Sequence, residues 1–139
     1  MSGNATFRIT FNVSHPTISA DEIEGVFELP TRFSQTVGGP KKTKSGKILD
    51  GMYKRTNVSF CLHESPLNFD DVSMNDFLKM QLRGYDREYI VQLVESGGSC
   101  NFLIGVFSDD NVMFELSLEA IQMLSEFKVS IQYDFHGGE

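Results

Sequence analysis

The sequence predicts one α+β domain, a two-layer sandwich in which helices cover one face of a mostly antiparallel sheet of about five strands. Alternating apolar residues near both ends of the chain predict half-buried strands, and an apolar run at 102–107 predicts a central strand. Serine-led helical stretches lie between them. This order favours a split β-α-β, ferredoxin-like arrangement. A length of 139 residues with 40% apolar content suits a single domain spanning 1–139.

The first strand and helix are the clearest elements. Residues 6–14, TFRITFNVS, place every apolar side chain on one side, which is typical of a strand with one buried face. Ser19 and Glu22 have the spacing of a capping box, so a helix should begin there. It should end before Pro30, because a residue that precedes proline avoids the helical region.

Residues 34–51 lack a regular apolar period and are interrupted by four glycines. They therefore predict an exposed loop, with at most a frayed hairpin. The remaining elements follow from period and capping signals. In order, these are a strand at 52–63, a helix from Ser73 to about Arg83, a helical turn from Asp86, a strand at 102–107, a short strand at 112–116, a helix after Ser117, and a strand at 129–135.

The cysteine usage and the N-terminus predict a cytoplasmic protein. The first ten residues contain no basic region followed by an apolar run, so we expect no export signal. Cys61 and Cys100 both fall in predicted strands, and without export they should be reduced core thiols. No apolar stretch approaches the roughly 20 residues of a membrane-spanning helix, so we expect no membrane partner.

The charge is distributed unevenly. Six of the twelve Lys and Arg residues lie in 40–55, against one of the nineteen acids, so this segment carries +5 and the rest of the chain −12. An acidic body is a poor general binder of nucleic acid, but it attracts a protein partner with a basic surface. The acidic residues that we expect to face such a partner are Asp70, Asp71, Asp86, Glu88, Asp109 and Asp110.

A phosphate-binding loop was considered for the run 38–47. It lacks the Walker spacing, because Ile48 follows Lys47 where Ser or Thr is required. The run is either a mobile loop or an alternative site for an anion or RNA. In the second case, its ligands would be Lys41, Lys42, Lys44 and Lys47.

Catalytic and metal-binding signals are weak. His15, His63 and His136 are too far apart in sequence to show ligand spacing, so no metal or cofactor is predicted. Cys61 and His63 would share one face of a continuous strand, which leaves a nucleophilic cysteine as a minor option. The sequence therefore predicts a protein that is not an enzyme.

The order of these features resembles a family of small bacterial proteins carried as a domain of unknown function. The matching stretches are the strand Phe7 to Val13, Ile18 with Asp21-Glu22-Ile23, Leu29-Pro30-Thr31, the glycine and lysine residues from Gly38 onward, Phe60, and Ile131 with Tyr133-Asp134. The resemblance covers nearly the whole chain. It implies no catalytic residues, because the family has no settled activity.

Small acidic α+β proteins of this kind are also similar to the immunity proteins of bacterial toxin systems. Such proteins bind a cognate toxin domain, often a basic nuclease, and cover its active site. Our leading hypothesis is therefore a non-enzymatic immunity protein. The alternative is a small-ligand or RNA-contacting regulatory module that uses the lysine loop 41–47.

Overall fold

The computed structural model describes residues 5–43 and 45–137. In chain order, its strands and helices are β1 (Thr6–His15), α1 (Ala20–Phe27), β2 (Thr31–Gln35), β3 (Pro40–Lys42), β4 (Ile48–Met52), β5 (Thr56–Cys61), β6 (Leu67–Asn68), α2 (Met74–Arg83), α3 (Arg87–Glu95), β7 (Ser99–Ser108), α4 (Leu118–Phe127) and β8 (Val129–Gly137).

Six strands form the main sheet in the order β2-β5-β1-β7-β8, and β6 pairs with the beginning of β1. The β7–β8 pair is parallel, and the other pairs of this sheet are antiparallel. The strands β3 and β4 form a separate antiparallel hairpin. The prediction of an α+β fold with a mostly antiparallel sheet is confirmed, although the described residues form more strands than the five expected.

The helices begin where their capping residues predict. The side chains of Ser19, Ser73 and Ser117 each accept a backbone N–H from the first helical turn. These bonds satisfy amide groups that have no partner inside a helix. Only half of the predicted capping box forms, since the Glu22 carboxylate accepts from the Tyr89 hydroxyl, at 3.3 Å, instead of reaching back to Ser19.

The core lies between the helices and the apolar face of β1. Phe11 is fully buried on this face, and its ring centroid lies 5.1 Å from that of Phe27 in α1 and 5.2 Å from that of Phe102 in β7. Tyr85, which links α2 to α3, lies 4.8 Å away. Phe11 therefore packs the central strand β1 against α1, against the junction of α2 and α3, and against the neighbouring strand β7.

The other face of the sheet is polar. Here Asn12 in β1 donates its side-chain N–H to Asn101 in β7, over 3.1 Å. Ser14 pairs with Asn57 in β5 and also belongs to this face. The alternation seen in the sequence thus separates an apolar face, which contacts the helices, from an amide- and hydroxyl-bearing face.

Residues 112–116 are not a strand, contrary to the prediction. Their alternation is real, since Val112, Phe114 and Leu116 are half-buried while Met113 is 97% exposed. However, β7 and β8 are parallel neighbours, so the chain must travel back along the sheet between them, and α4 makes most of that return. The segment packs one side of itself onto the core without pairing with another strand.

The segment 34–51 is largely exposed and contains a hairpin, which the sequence allowed, whereas the prediction of one strand at 52–63 requires correction. The segment 34–51 contains the end of β2 and the hairpin β3–β4. The segment 52–63, predicted as one strand, contains the end of β4, a turn, and β5. The strand β2 has a single large apolar residue, Phe33, and four of its five residues are exposed. A strand with no buried face leaves no period of two in the sequence.

Replacement of Phe11 by Ala should lower the free energy of unfolding by about 3–5 kcal/mol, because it leaves a cavity among four aromatic rings. Urea denaturation followed by far-UV circular dichroism measures this change. Phe135→Ala is the matched control, since Phe135 is 64% exposed and its loss should change stability by less than about 0.5 kcal/mol. Equal losses in the two variants would contradict the assignment of Phe11 to the centre of the core.

Candidate binding sites

Four of the predicted acidic residues lie at the same end of the sheet. Thr6, at the beginning of β1, pairs with Asn68 in β6 and with Phe107 in β7. The turn after β6 and the turn after β7 therefore leave the sheet at the same end. These turns carry Asp70 and Asp71, and Asp109 and Asp110, respectively.

We call these four residues the acidic end. All four side chains are exposed, and within 5–43 and 45–137 no Lys, Arg or His nitrogen lies within 4 Å of their carboxylates. Four unpaired carboxylates at one end of a sheet produce a local negative potential. The remaining two predicted residues lie elsewhere, because Asp86 caps α3 through the amide of Tyr89 and Glu88 lies in the first turn of that helix.

An exposed apolar surface adjoins Asp109 and Asp110. It surrounds a shallow groove of about 460 Å³ between the segment 112–116, α4 and β8. We call it the apolar surface. It consists of Val112, Met113, Phe114, Leu116, Ile121, Tyr133 and Phe135.

The packing of Phe114 explains why this surface stays open. Its ring centroid lies 5.6 Å from that of Phe69 and 5.4 Å from that of Tyr133, which fixes the segment against the core. Met113 then points outward, and Phe135 and Ile121 remain 64% and 46% exposed. The alternation in 112–116 was visible in the sequence, but the exposure of its neighbours in α4 and β8 was not.

A second site is the cleft between β2 and the hairpin β3–β4, with a volume of about 920 Å³. Its walls carry two cations, two aromatic rings and several hydroxyl groups. The lining residues are Arg32, Phe33, Ser34, Gln35, Thr36, Gly39, Pro40, Lys42, Thr43 and Tyr53. None of these residues is acidic.

Only one member of the predicted lysine set lines this cleft. That residue is Lys42, whereas Lys41 and Lys47 are exposed and do not line it, and Lys44 lies outside the described residues. Sequence reasoning missed Arg32, because no apolar period marks β2 as a strand. The adjacent aromatic residue in Arg32-Phe33 was the one local signal.

The hypothesis of a nucleophilic Cys61 assisted by His63 is not supported by their geometry. Cys61 pairs with Thr10 on the polar face of the sheet, whereas His63 packs edge-on against Phe77 of α2. The imidazole Nε2 accepts the N–H of Ile9 at 3.0 Å, and Nδ1 donates to the carbonyl of Ser65 at 2.7 Å. The β5 strand ends before it reaches Ile9 of β1. The His63 side chain therefore supplies the acceptor that a neighbouring strand would otherwise give to the Ile9 amide.

Both cysteines are free thiols, but only Cys100 lies in the core as predicted. Burial raises the pKa of Cys100 to about 12, so this thiol stays protonated and unreactive at neutral pH. Cys61 is half-buried. In the part of the chain that the structure describes, no three His, Cys, Asp or Glu residues are grouped so as to hold a metal ion.

His15 has a structural role at the end of β1. It is 2% exposed; its Nδ1 accepts the N–H groups of Thr17 and Ile18, at 3.0 and 3.1 Å. Its Nε2 lies 2.8 Å from the hydroxyl of Ser96, which leaves Nε2 as the donor. Burial, and secondarily the charge of Arg55, lowers the pKa of His15 below its usual 6.5, so the ring is neutral in the fold.

Comparisons of the chain with protein-family models, with curated proteins and with solved structures each found no match. A search of the described helices found none with the length and apolar character needed to cross a membrane.

Replacement of His15 should reduce the dependence of stability on pH. The neutral ring is favoured in the fold, so the unfolded chain binds more protons, and the wild type should lose stability as pH falls below 6.5. The loss approaches at most about 1.4 kcal/mol per pH unit. His15→Asn keeps an acceptor for the amides of Thr17 and Ile18. Because Asn does not titrate, the variant should lose the part of the pH dependence of stability that His15 causes.

Urea denaturation at pH 7.5 and pH 5.5 gives the two free energies of unfolding. Gln132→Asn is the control, because Gln132 is exposed and does not titrate, so this variant should retain the pH dependence of the wild type. A His15→Asn protein with an unchanged difference between the two pH values would show that His15 is not the group responsible.

Proposed function

We propose that this chain is a non-enzymatic binding protein, and specifically an immunity protein that neutralises a bacterial toxin domain with a basic surface. The observation that carries the proposal is the position of Asp109 and Asp110 beside the apolar surface. Asp70 and Asp71 extend the negative charge along the same end of the sheet. An apolar centre with a charged margin is the usual anatomy of a protein–protein interface.

The two parts of this interface have different tasks. The acidic end, supported by the −12 charge outside 40–55, attracts a basic partner over a distance and accelerates encounter. The apolar surface supplies the contact that is desolvated after encounter, with Met113 and Phe135 as its most exposed side chains. This arrangement needs no catalytic group, which agrees with the structural roles of His15 and His63.

We also propose a ferredoxin-like topology for the fold and a cytoplasmic location for the protein. The strand order β2-β5-β1-β7, with α1 after β1 and with α2 and α3 before β7, supports a split β-α-β, two-layer sandwich extended by α4 and β8. The resemblance to the bacterial family of unknown function and a cytoplasmic location belong to the same proposal.

Removal of the acidic end should slow association with the toxin domain that affinity capture from the native cell identifies as the partner. The test variant replaces Asp70, Asp71, Asp109 and Asp110 by Asn. We expect its association rate constant to fall about tenfold or more at low salt, with little change in dissociation, because steering acts before contact. Stopped-flow measurements at 20 mM and 500 mM NaCl should show the difference vanish at high salt.

The matched control removes four exposed charges from the helices and one helix cap instead. It combines Asp21→Asn with Glu28→Gln, Glu95→Gln and Glu126→Gln, and it should retain most of the association rate. A control that slows association as much as the test variant would assign steering to net charge rather than to the acidic end. Failure of the wild-type protein to protect cells that express the toxin domain would refute the immunity function itself.

A further inference from the structure

The cleft between β2 and the hairpin β3–β4 has a charge opposite to that of the protein as a whole. Arg32 and Lys42 line it, and no acidic residue does, although the chain carries a net charge of −7. Its volume of about 920 Å³ lies at the upper end of the roughly 300–1,000 Å³ typical of small-molecule pockets. It therefore has the size and the charge to admit an anion larger than phosphate.

The wall formed by β2 presents a cation beside an aromatic ring. The guanidinium of Arg32 donates through Nη1 to the hydroxyl of Ser59, at 3.3 Å, which holds its position at the sheet. An arginine has five N–H donors in a planar fork, so most of them stay available to a ligand. Phe33, the next residue, is 49% exposed and offers a flat apolar face at the same wall.

The opposite wall of the cleft, formed by the hairpin, also places an aromatic ring beside a cation, in this case Tyr53 beside Lys42. The backbone of Tyr53 closes the base of the hairpin, since its N–H donates to Gly39 at 3.0 Å and its carbonyl accepts from Gly38 at 2.9 Å. The Tyr53 hydroxyl in turn accepts the N–H of Lys42, at 3.2 Å. This bond, made by the backbone amide of Lys42, places the aromatic ring and the lysine next to each other on one wall.

We propose that this cleft binds a nucleoside phosphate, with the phosphate between Arg32 and Lys42 and the base against the ring of Phe33 or Tyr53. The two cations match the charge of a phosphate, and the two rings match a planar base better than a sugar or an aliphatic acid. Ser34 and Thr43 line the same cleft, and the hydroxyl of Ser34 can bond to the ribose. This site is distinct from the acidic end and the apolar surface.

Calorimetric titration of the full chain with AMP, adenosine and inorganic phosphate tests the proposal. AMP should bind at least tenfold more tightly than either of its parts, because only AMP engages both the cations and a ring. A short RNA with a 5′ phosphate, compared with the same RNA without it, identifies the natural source. Tighter binding of the phosphorylated RNA than of AMP would assign the site to a polynucleotide end.

Arg32→Gln and Lys42→Gln should each weaken AMP binding about tenfold or more, and Phe33→Leu should weaken it severalfold. The controls are Lys47→Gln and Lys54→Gln, which remove exposed positive charges from the same region without altering the lining of the cleft. Unchanged circular dichroism and melting temperature exclude misfolding as the cause of any loss.

Two results would overturn the proposal. One is an absence of binding by the wild-type protein to AMP and to the phosphorylated RNA. The other is an equal loss of affinity in the control variants, which would indicate a diffuse electrostatic attraction. The combined variant Arg32→Gln, Lys42→Gln should still protect cells against the toxin domain, so failure here and failure of the immunity function can be told apart.

Discussion

The pairing of β1 along both of its edges is the constraint on which the rest of the structure depends. Its apolar face places Phe11 within about 5 Å of rings from α1, from β7 and from the junction of α2 and α3. Its first residue pairs with β6 on one side and with β7 on the other. The same strand therefore organises the core and brings two acidic turns, at 70–71 and 109–110 in the sequence, to one end of the sheet.

The uneven charge of the sequence has a structural counterpart. The segment that carries +5 forms the hairpin beside β2, at one edge of the main sheet, while β8 at the other edge contributes to the apolar surface near Asp109 and Asp110. A net charge of −7 is thus the sum of two unlike regions. One region suits a ligand with negative charge, and the other suits a protein with positive charge.

The elements with one buried face could be predicted from the sequence, because burial on one side creates a period. This is why β1, α4 and β8 were found, and why the caps at Ser73 and Ser117 located their helices. The strand β2 escaped detection because it has no buried face. Residues 112–116 were misassigned because a coil that packs one side onto a core alternates in the same way as a strand.

The sites were less predictable than the elements, because each depends on contacts between distant segments. That Asp109 and Asp110 lie in an exposed turn follows from local sequence, but their meeting with Asp70 and Asp71 requires the register of β1. Arg32 acquires its role only because the hairpin folds opposite it. The prediction that Cys61 and His63 share one strand face assumed a continuous strand. Because β5 ends at Cys61, His63 lies beyond the strand and its side chain has a different neighbourhood.

The distance between the two proposed sites determines how they can influence each other. The start of β2, beside Arg32, is level with Phe11 of β1, because Thr31 and Phe11 both pair with Phe60. Both acidic turns leave the sheet at Thr6, five residues away along β1, or roughly 17 Å at about 3.3 Å per residue. This exceeds the Debye length of about 8 Å at physiological ionic strength, so direct electrostatic coupling between the cleft and the acidic end is screened. Any remaining coupling must pass through β1 and its aromatic neighbours, which are closely packed and yield little to small forces. A nucleotide in the cleft should therefore leave the on-rate of a basic partner unchanged at this salt concentration.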